Sequence, residues 1–328
     1  MIFKWYYGKI FITKVMWSGR TKDEREVPYM EREAAVGLVL INKEVGLTSQ
    51  ALVNRVKRIF GQSKAGHTGT LDPLATGVLP VLLGRAVKAS EFMLTEDKHY
   101  GATLLLGEER DTEDVMGNLI SSTDEIRSEA EVLAAVSSFV GEIDQTPPMY
   151  SALKVGGEKL CDLARRGITI DREPRRVKIY SINATRINDR EYFLDVFCSK
   201  GTYIRTLCAD IGKALGVGGA MKTLVRLSVS GFSIDMTHTL GELEAMSEED
   251  RLACVIPTEK IFESMRGVVL PDFFSRLAKS GQHIYLHKIG AVAEVGERVR
   301  LLDKDGFFAV GEVREYDDGI AIKPIRQF

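Results

Sequence analysis

The sequence predicts an α+β fold that is followed by a small β-rich module at the C-terminus. Short apolar or alternating runs, which favour strands, are interspersed with amphipathic segments, which favour helices. From about residue 266 onward, short alternating runs are instead separated by Asp-Gly pairs, which indicate hairpins. A chain of 328 residues with 45% hydrophobic content can bury a sizeable core, and its length suggests about two domains.

Each element of the first part of the chain has a local signal. Residues 37–42 (GLVLIN) form an uninterrupted apolar run that predicts a buried strand. Thr48-Ser49 offers an N-cap to an amphipathic helix, which a glycine ends. Residues 85–94 repeat the helical spacing of apolar side chains, and residues 100–106 alternate as a strand does.

The next segment is acidic. Residues 107–125 are rich in Asp and Glu, and we interpret them as a solvated loop because an isolated acidic run usually faces water. Residues 128–139 then predict an amphipathic helix, which the Pro147-Pro148 pair ends. Its expected buried face consists of Val132, Leu133, Val136 and Phe139.

The segment 154–178 is the most basic part of the chain, with eight basic residues against four acidic ones. In a chain whose net charge is -2, this local surplus is a candidate phosphate-binding face. The alternative is a solvated helix over 158–166 in which acidic and basic side chains pair. The sequence alone favours neither interpretation.

The remaining elements alternate between strands and helices. Two alternating strands are predicted within 177–197, a helix over 204–215 and a strand-like run over 224–232. The segment 241–265 is acidic and helical, with a break at Pro257. In the tail, alternating residues predict further strands at 293–302, 307–313 and 319–323.

Composition excludes several classes of protein. The four cysteines lie far apart without a CxxC pair, so neither a zinc ribbon nor a disulfide framework is indicated, and a reducing cytoplasm is expected. No apolar run approaches the roughly 20 residues that span a bilayer. Residues 1–29 mix aromatics with lysines and lack the apolar centre of a signal peptide. Because Met30 precedes the first strand, we interpret them as a flexible extension or as an upstream start that the cell does not use.

The segment 66–80 (GHTGTLDPLATGVLP) places one carboxylate, Asp72, among small residues, glycines and prolines, which predicts a shaped loop. From these residues alone, Asp72 could serve as a nucleophile, as a metal ligand or as a cap for the loop's amides. Metal binding is the weakest of the three. The histidines with a ligand-like spacing, His283 and His287, lie far along the chain.

Four motifs, in a fixed order, resemble those of the TruB-type pseudouridine synthases. They are GHTGTLDP at 66–73 with ATGVL at 75–79, Lys98-x-Tyr100, GTYIR at 201–205 and Leu224-x-Arg226. The resemblance covers about residues 37–232, and the tail is similar to the small PUA β-barrel that these enzymes carry. It implies a pseudouridine synthase domain with a mixed, mainly antiparallel sheet and flanking helices.

The resemblance also implies roles for individual residues. Asp72 would be the nucleophile or base that starts cleavage of the uridine glycosidic bond, and Arg205 would keep its carboxylate ionised. Tyr100 would stack on the target base, and His67 would fill the space that the extruded nucleotide vacates. Leu224 would form the apolar wall of the pocket. The other implied residues are Tyr203 as a packing neighbour of the site, and Gly69, Thr70 and Lys88 as structural support of the loop.

Residues 147–178 resemble the thumb insertion that, in stand-alone bacterial members of this family, closes over the T-loop of tRNA. Guide-RNA-dependent members lack this thumb. The resemblance therefore gives the basic segment a role in sequence-independent phosphate contacts. The expected phosphate-contact residues are Lys154, Arg165, Arg166, Arg175 and Arg176.

The resemblance implies a stand-alone cytoplasmic enzyme that converts uridine 55 of tRNA to pseudouridine. It would act on the T-stem-loop as a monomer, without a cofactor, a metal, a membrane or an obligate protein partner. The expected domains are an N-terminal extension (1–29), a catalytic domain (30–265) and a PUA-like RNA-binding domain (266–328). Two alternatives stay open, namely a non-catalytic RNA-binding or tRNA-folding module and a guide-RNA-dependent pseudouridine synthase of rRNA.

Overall fold

The predicted α+β pattern is confirmed in a computed structural model, which describes residues 35–94 and 96–328. The interpretations of residues 1–29 lie outside this part of the chain. The described residues form a large mixed sheet, a five-stranded sheet and two short hairpins, with helices packed against the sheets. Within the same residues, no helix is long and apolar enough to cross a membrane.

The strands and helices of the described residues are numbered here in chain order. The strands are β1 (Gly37–Lys43), β2 (Ala65–His67), β3 (Thr76–Leu83), β4 (Lys98–Leu106), β5 (Glu108–Arg110), β6 (Leu119–Ser122), β7 (Gly141–Gln145), β8 (Lys154–Val155), β9 (Glu158–Lys159), β10 (Arg175–Arg186), β11 (Glu191–Cys198), β12 (Gly219–Val229), β13 (Phe232–Ser233), β14 (Arg266–Val269), β15 (Ile284–Tyr285), β16 (Arg298–Asp303), β17 (Gly306–Tyr316) and β18 (Gly319–Gln327). The α-helices are α1 (Ser49–Ile59), α2 (Ser90–Met93), α3 (Glu129–Ser137), α4 (Leu160–Arg165), α5 (Ile204–Ala214), α6 (Leu240–Ala245), α7 (Glu248–Ala253), α8 (Asp272–Lys279) and α9 (Leu286–Ile289). Turns of 3-10 helix occupy Gly84–Ala89, Ile234–Met236 and Thr258–Phe262.

The large sheet has the strand order β1-β3-β12-β4-β11-β10-β7. Its neighbouring strands are antiparallel except for β3 and β12, which run parallel where Thr76 and Gly77 meet Val225 and Arg226. The apolar faces of α1, α3 and α5 pack with the buried side chains of this sheet in one core. The parallel contact is what brings the motif on β12 beside the Asp72 loop.

The second sheet has the order β14-β16-β17-β18-β15, and β14 runs parallel to β16. The predicted tail strands are confirmed, and the Asp-Gly pairs at 305–306 and 318–319 lie at its two hairpin turns. The second sheet packs on the first through an apolar cluster that includes Leu38 of β1 and Val310 of β17. Three aromatic rings extend this contact. The ring centroid of Phe328 lies 5.2 Å from that of Phe262 and 5.4 Å from that of Phe307.

Some local predictions were wrong. The loop predicted over 66–80 is irregular only at 68–75. The apolar run that follows Thr76 is buried and forms β3, which pairs with β1 along its length, including at Pro80. Leu133, predicted to be buried, is exposed on α3, whereas Val132 and Val136 pack in the core. The short polar strand β7 was missed, since it pairs only at the edge of the sheet.

Candidate active site

The Asp72 loop, residues 68–75, lies between β2 and β3. Just after it, Gly77 has φ +96, and a Cβ there would lie 2.3 Å from the backbone oxygen of Arg226. Only glycine permits this close approach of β3 to β12. Gly69 also has a positive φ, +93, and its carbonyl accepts a hydrogen bond from Nη2 of Arg226 at 3.2 Å. Both glycines thus fix the shape of the loop.

Two polar side chains hold the loop in place. Ser49, at the start of α1, accepts a hydrogen bond from the N–H of Leu71 and donates one to its carbonyl, each at 2.9 Å. The buried Lys43 donates from Nζ to the carbonyl of Ala75 at 2.6 Å. Burial lowers the pKa of Lys43 to about 8, and the negative charge of Asp72 opposes this shift. The sequence analysis did not name Lys43 as a site residue, because the predicted strand stopped one residue before it. The signal available in the sequence was a lysine that directly continues an apolar strand.

Arg205 faces Asp72 from the first turn of α5. Its Nε lies 2.9 Å from Oδ2 of Asp72, and its Nη2 lies 3.3 Å from Oδ1, so the ion pair has two points of contact. Arg205 is only 4% exposed, whereas the Asp72 side chain is 34% exposed. Tyr203, which precedes α5, is held by the side-chain amide of Gln145 through both its N–H and its carbonyl. The arginine is therefore fixed, and the carboxylate stays reachable.

The acidic segment 107–125 is only in part the solvated loop predicted from the sequence: Glu109, Asp111, Asp124 and Glu125 are exposed, but the segment is not irregular throughout. It folds as the β5–β6 hairpin, whose turn buries Asp114 with Oδ2 3.5 Å from Nη1 of Arg205. Its neighbour Glu113, with φ +64, accepts a hydrogen bond from Oγ1 of Thr206 at 2.5 Å. The sheet brings this turn to the start of α5 from a distant part of the sequence. No local spacing could have revealed that Asp114 is a second partner of Arg205.

The Asp72 carboxyl experiences opposing electrostatic influences. Burial raises its pKa above the ordinary value of 3.8, and the negative charge of Asp114 adds to this rise. Arg205 and Lys43 oppose it, because each favours the ionised form. The carboxylate thus has two cationic neighbours and one anionic neighbour.

We expect the pH dependence of turnover to report this carboxyl. If the reaction needs ionised Asp72, kcat/KM should fall as the pH drops through the raised pKa, at a higher pH than for an exposed aspartate. Asp114→Asn removes a charge that raises this pKa, so the acid limb should move to lower pH. Profiles of kcat/KM from about pH 4 to 8 for the wild type, Asp114→Asn and the exposed control Asp111→Asn test this. A limb that moves to higher pH in Asp114→Asn would contradict it.

Two cavities meet at the Asp72–Arg205 pair. The larger one, about 790 Å³, is lined by the start of α1, by His67, and by Tyr150 and Arg165 of the thumb segment. The smaller one has a volume of about 270 Å³. Its walls bring together all the residues predicted to form the catalytic pocket, namely Asp72, Tyr100, Tyr203, Arg205 and Leu224.

Tyr100 and Leu224 line the smaller cavity from β4 and β12, and both are buried. Burial raises the pKa of Tyr100, although the positive charge of Arg226 opposes the shift, so the phenol is protonated at neutral pH. Arg226 also donates from Nε to the carbonyl of Val78 at 2.7 Å. Because Arg226 also lies opposite Tyr100 in the register of β12 and β4, it sits between the tyrosine's strand and the strand that leaves the Asp72 loop, a role beyond its place in the sequence motif.

His67 ends β2 and lines the larger cavity, whereas Tyr100 lines the smaller one. Burial and the positive charge of Arg226 lower the pKa of His67, which favours a neutral imidazole at neutral pH. Within the described residues, its Nδ1 is buried without a hydrogen-bond partner. The ring thus lines a cavity that Asp72 also lines, but it lies outside the smaller one.

The predicted phosphate-contact residues spread over the thumb segment. Arg165 lines the larger cavity. Arg165 pairs with Asp162 at 3.1 Å and Arg166 pairs with Glu158, so the charge-paired helix that was the alternative interpretation is also present. The other predicted contacts do not line either cavity: Lys154, Arg166, Arg175 and Arg176.

Two residues predicted to support the loop occupy other positions. Thr70 is exposed and lines both cavities, so it belongs to the wall of the site. Lys88 was predicted to support the loop, but its recorded hydrogen bond goes elsewhere. Its Nζ donates to the carbonyl of Gln327 at 3.0 Å, because the 3-10 turn that carries it packs beside the C-terminal strand β18.

Comparison with known proteins gives consistent matches along the chain. The family "TruB family pseudouridylate synthase (N terminal domain)" matches residues 57–204, and "tRNA pseudouridylate synthase B C-terminal domain" matches residues 205–271. The tRNA pseudouridine synthase B of Alkaliphilus oremlandii is 41% identical over 86% of this chain and 94% of its own length. That of Saccharophagus degradans is 41% identical over 85% of this chain and 92% of its own.

Solved structures with the same fold include a Cbf5-Nop10-Gar1 complex, with a TM-score of 0.68 and 27% identity over 90% of this chain and 86% of that one. An H/ACA RNP bound to a substrate RNA containing 2′-deoxyuridine gives a TM-score of 0.67 and 25% identity, and the match covers 91% of this chain and 87% of that one. Together the two family matches cover the Asp72 loop, Arg205, and the strands β4 and β12 that carry Tyr100 and Leu224. This chain belongs to the TruB family of pseudouridylate synthases.

Proposed function

We propose that this protein converts uridine to pseudouridine at position 55, in the T-loop of tRNA, and that it does so in the cytoplasm. The relatives described above are tRNA pseudouridine synthases, and this chain aligns with them over nearly their full length. The observation that carries the proposal is the two-point ion pair of Asp72 with Arg205 at the junction of two cavities. This ion pair holds the carboxylate of Asp72 where a nucleotide extruded from RNA can reach the carboxylate.

The reaction exchanges one bond for another within a single nucleotide. The C1′–N1 glycosidic bond breaks, the uracil turns, and a C1′–C5 bond forms, while C5 loses its hydrogen as a proton and N1 gains one. No electrons pass to a second substrate. The site therefore has to start bond cleavage, and then hold a base that is no longer attached to its sugar.

The residues at the junction suit these two tasks. Asp72 starts the cleavage of the C1′–N1 bond, and Arg205 keeps its carboxylate ionised and oriented. Tyr100 and Leu224 hold the uracil in the smaller cavity, where stacking on a ring contributes about 1–3 kcal/mol per base. The protonated phenol of Tyr100 serves as a flat, neutral wall.

His67, which lines the larger cavity, assists extrusion of the nucleotide from the RNA stack. A base inside a folded RNA loop must leave its stack before Asp72 can reach C1′, at a cost of a few kcal/mol. A neutral imidazole at the larger cavity can occupy the vacated space without the desolvation cost of a charge. This agrees with the position of His67 outside the smaller pocket.

A guide-RNA-dependent enzyme is the second candidate, since similar solved structures come from complexes with Nop10 and Gar1. The segment from β8 to α4 favours the stand-alone enzyme, because Lys159 and Arg165 already line the larger cavity. The site is also assembled within one chain, which supports a monomer without an obligate protein partner.

We further propose that 30–265 is the catalytic domain and that 266–328, where β14 opens the second sheet, is a PUA-like RNA-binding domain.

The thumb segment should contribute to binding through phosphate contacts. Replacing Arg165, Arg166, Arg175 and Arg176 together by Gln should flatten the dependence of log Kd on log salt, by about 0.7–0.9 for each phosphate that is no longer neutralised. Titration of a labelled T-stem-loop between about 50 and 200 mM salt measures the slope. The control is Arg186→Gln with Arg190→Gln, at the far end of the β10–β11 hairpin. An unchanged slope in the quadruple variant would show that the RNA binds elsewhere.

The proposed target position can be tested on a whole tRNA. An unmodified tRNA transcript is incubated with the purified protein, and pseudouridine is then mapped by chemical modification and primer extension. We expect pseudouridine at position 55 and at no other uridine. Modification at another position would overturn the assignment of the T-loop, and no modification at all would favour a non-catalytic RNA-binding module.

A further inference from the structure

Ser151 is a buried polar residue of the thumb segment whose hydroxyl lacks a partner. It is 5% exposed, and within the described residues its Oγ has no hydrogen-bond partner. A buried hydroxyl without a partner is costly and is uncommon in native structures. Such a group is therefore expected to find its partner in a state that the free protein does not show.

The position of Ser151 indicates what that partner is. Ser151 lines both the larger and the smaller cavity, as Asp72 and Arg205 do. Asp72 and Arg205 bond to each other, whereas the buried hydroxyl of Ser151 at this junction bonds to neither of them.

The backbone fixes Ser151 relative to the reacting groups. The carbonyl of Tyr150, the preceding residue, accepts a hydrogen bond from Nη2 of Arg205 at 2.8 Å. The carbonyl of Ser151 itself accepts one from the N–H of Cys161 at 3.0 Å. The same guanidinium therefore orients the Asp72 carboxylate and the segment that carries the hydroxyl.

We propose that the Ser151 hydroxyl hydrogen-bonds the edge of the uracil and guides it between its attached and its detached orientation. This inference rests on the function proposed above. The uracil edge offers both carbonyl acceptors and N–H donors, and turning the base changes which of them faces a given wall. A hydroxyl can donate or accept by rotating about one bond, so it can accompany both orientations. The fixed donors of Arg205 cannot accept, and the carboxylate of ionised Asp72 cannot donate.

Ser151→Ala and Ser151→Cys test this contact, because Ala removes the hydroxyl and Cys retains its volume with a much weaker hydrogen-bonding group. With a saturating T-stem-loop, the single-turnover rate constant should fall by about three- to tenfold in both variants, as for loss of one neutral hydrogen bond. The Kd for the RNA should stay unchanged, since phosphate contacts dominate affinity. The matched control is Ser181→Ala, which removes an exposed hydroxyl from β10.

Thermal unfolding separates this role from a structural one. Because the hydroxyl has no partner among residues 35–94 and 96–328 of the free protein, Ser151→Ala should leave Tm equal to or above that of the wild type. A clear fall in Tm would show that the hydroxyl stabilises the fold, and it would overturn the inference. If the wild type is active and Ser151→Ala turns over at the wild-type rate, the inference fails while the proposed function stands. If the wild type itself is inactive on the stem-loop, both fail together.

Discussion

Replacing Asp72 by Asn should reduce kcat/KM for a tRNA T-stem-loop by about 10⁴-fold or more, the order seen when a catalytic nucleophile is removed. Asn keeps the shape of the side chain but cannot supply the negative charge that starts cleavage of the glycosidic bond. The fold should persist, because Arg205 retains Asp114 and the carbonyl of Tyr150 as partners. The Kd for the RNA should stay within about twofold, since phosphate contacts dominate affinity.

The control for this substitution is Asp189→Asn, which removes a carboxylate from an exposed turn where it pairs with Arg186. It should behave as the wild type in both assays. Turnover by Asp72→Asn at a rate near that of the wild type would contradict the assignment. Loss of RNA binding together with activity would show instead that Asp72 holds the structure of the site.

Replacing Arg205 by Met should abolish turnover and also destabilise the protein by about 3–5 kcal/mol, because it removes one partner of a buried ion pair. The guanidinium contacts both Asp72 and Asp114, so its loss leaves the buried Asp114 carboxylate without its cation and close to the partly exposed Asp72 carboxylate. Two backbone carbonyls, those of Thr112 and Tyr150, lose their donor as well. Chemical denaturation and single-turnover kinetics measure the two effects.

A second substitution separates stability from activity. Adding Asp114→Asn to Arg205→Met removes one of these two carboxylates, so part of the lost stability should return while turnover stays absent. In the wild-type background, Asp114→Asn should cost less stability, because Arg205 keeps Asp72 as a partner. If the double variant is no more stable than Arg205→Met, the electrostatic account of this cluster is wrong.

Local patterns were sufficient to predict the parts of the site that lie within a single motif. The glycines and prolines around Asp72 indicated a shaped loop, and the alternation after Lys98 indicated the strand that carries Tyr100. Apolar periodicity predicted α1 and α5 closely, because their buried faces recur at helical spacing. The resemblance to a family then indicated which residues of separate motifs act together.

Contacts that depend on tertiary structure could not be read in this way. Asp114 belongs to an acidic run that looks solvated, and only the pairing of Met221 on β12 with that turn brings it to Arg205. Lys43 looks like the charged end of an apolar strand, yet it is fully buried beneath the Asp72 loop. Lys88 was assigned to the loop by resemblance, whereas its ammonium bonds the C-terminal strand.

We propose that this chain alone, through Asp72, isomerises a uridine of the tRNA T-loop. The most direct test is release of tritium from a T-stem-loop labelled with [5-³H]uridine, using purified protein without guide RNA or partner proteins. We predict that the wild type releases the label from the target position to completion, and that Asp72→Asn releases none. Absence of release by the wild type, or release that requires an added guide RNA, would contradict the account.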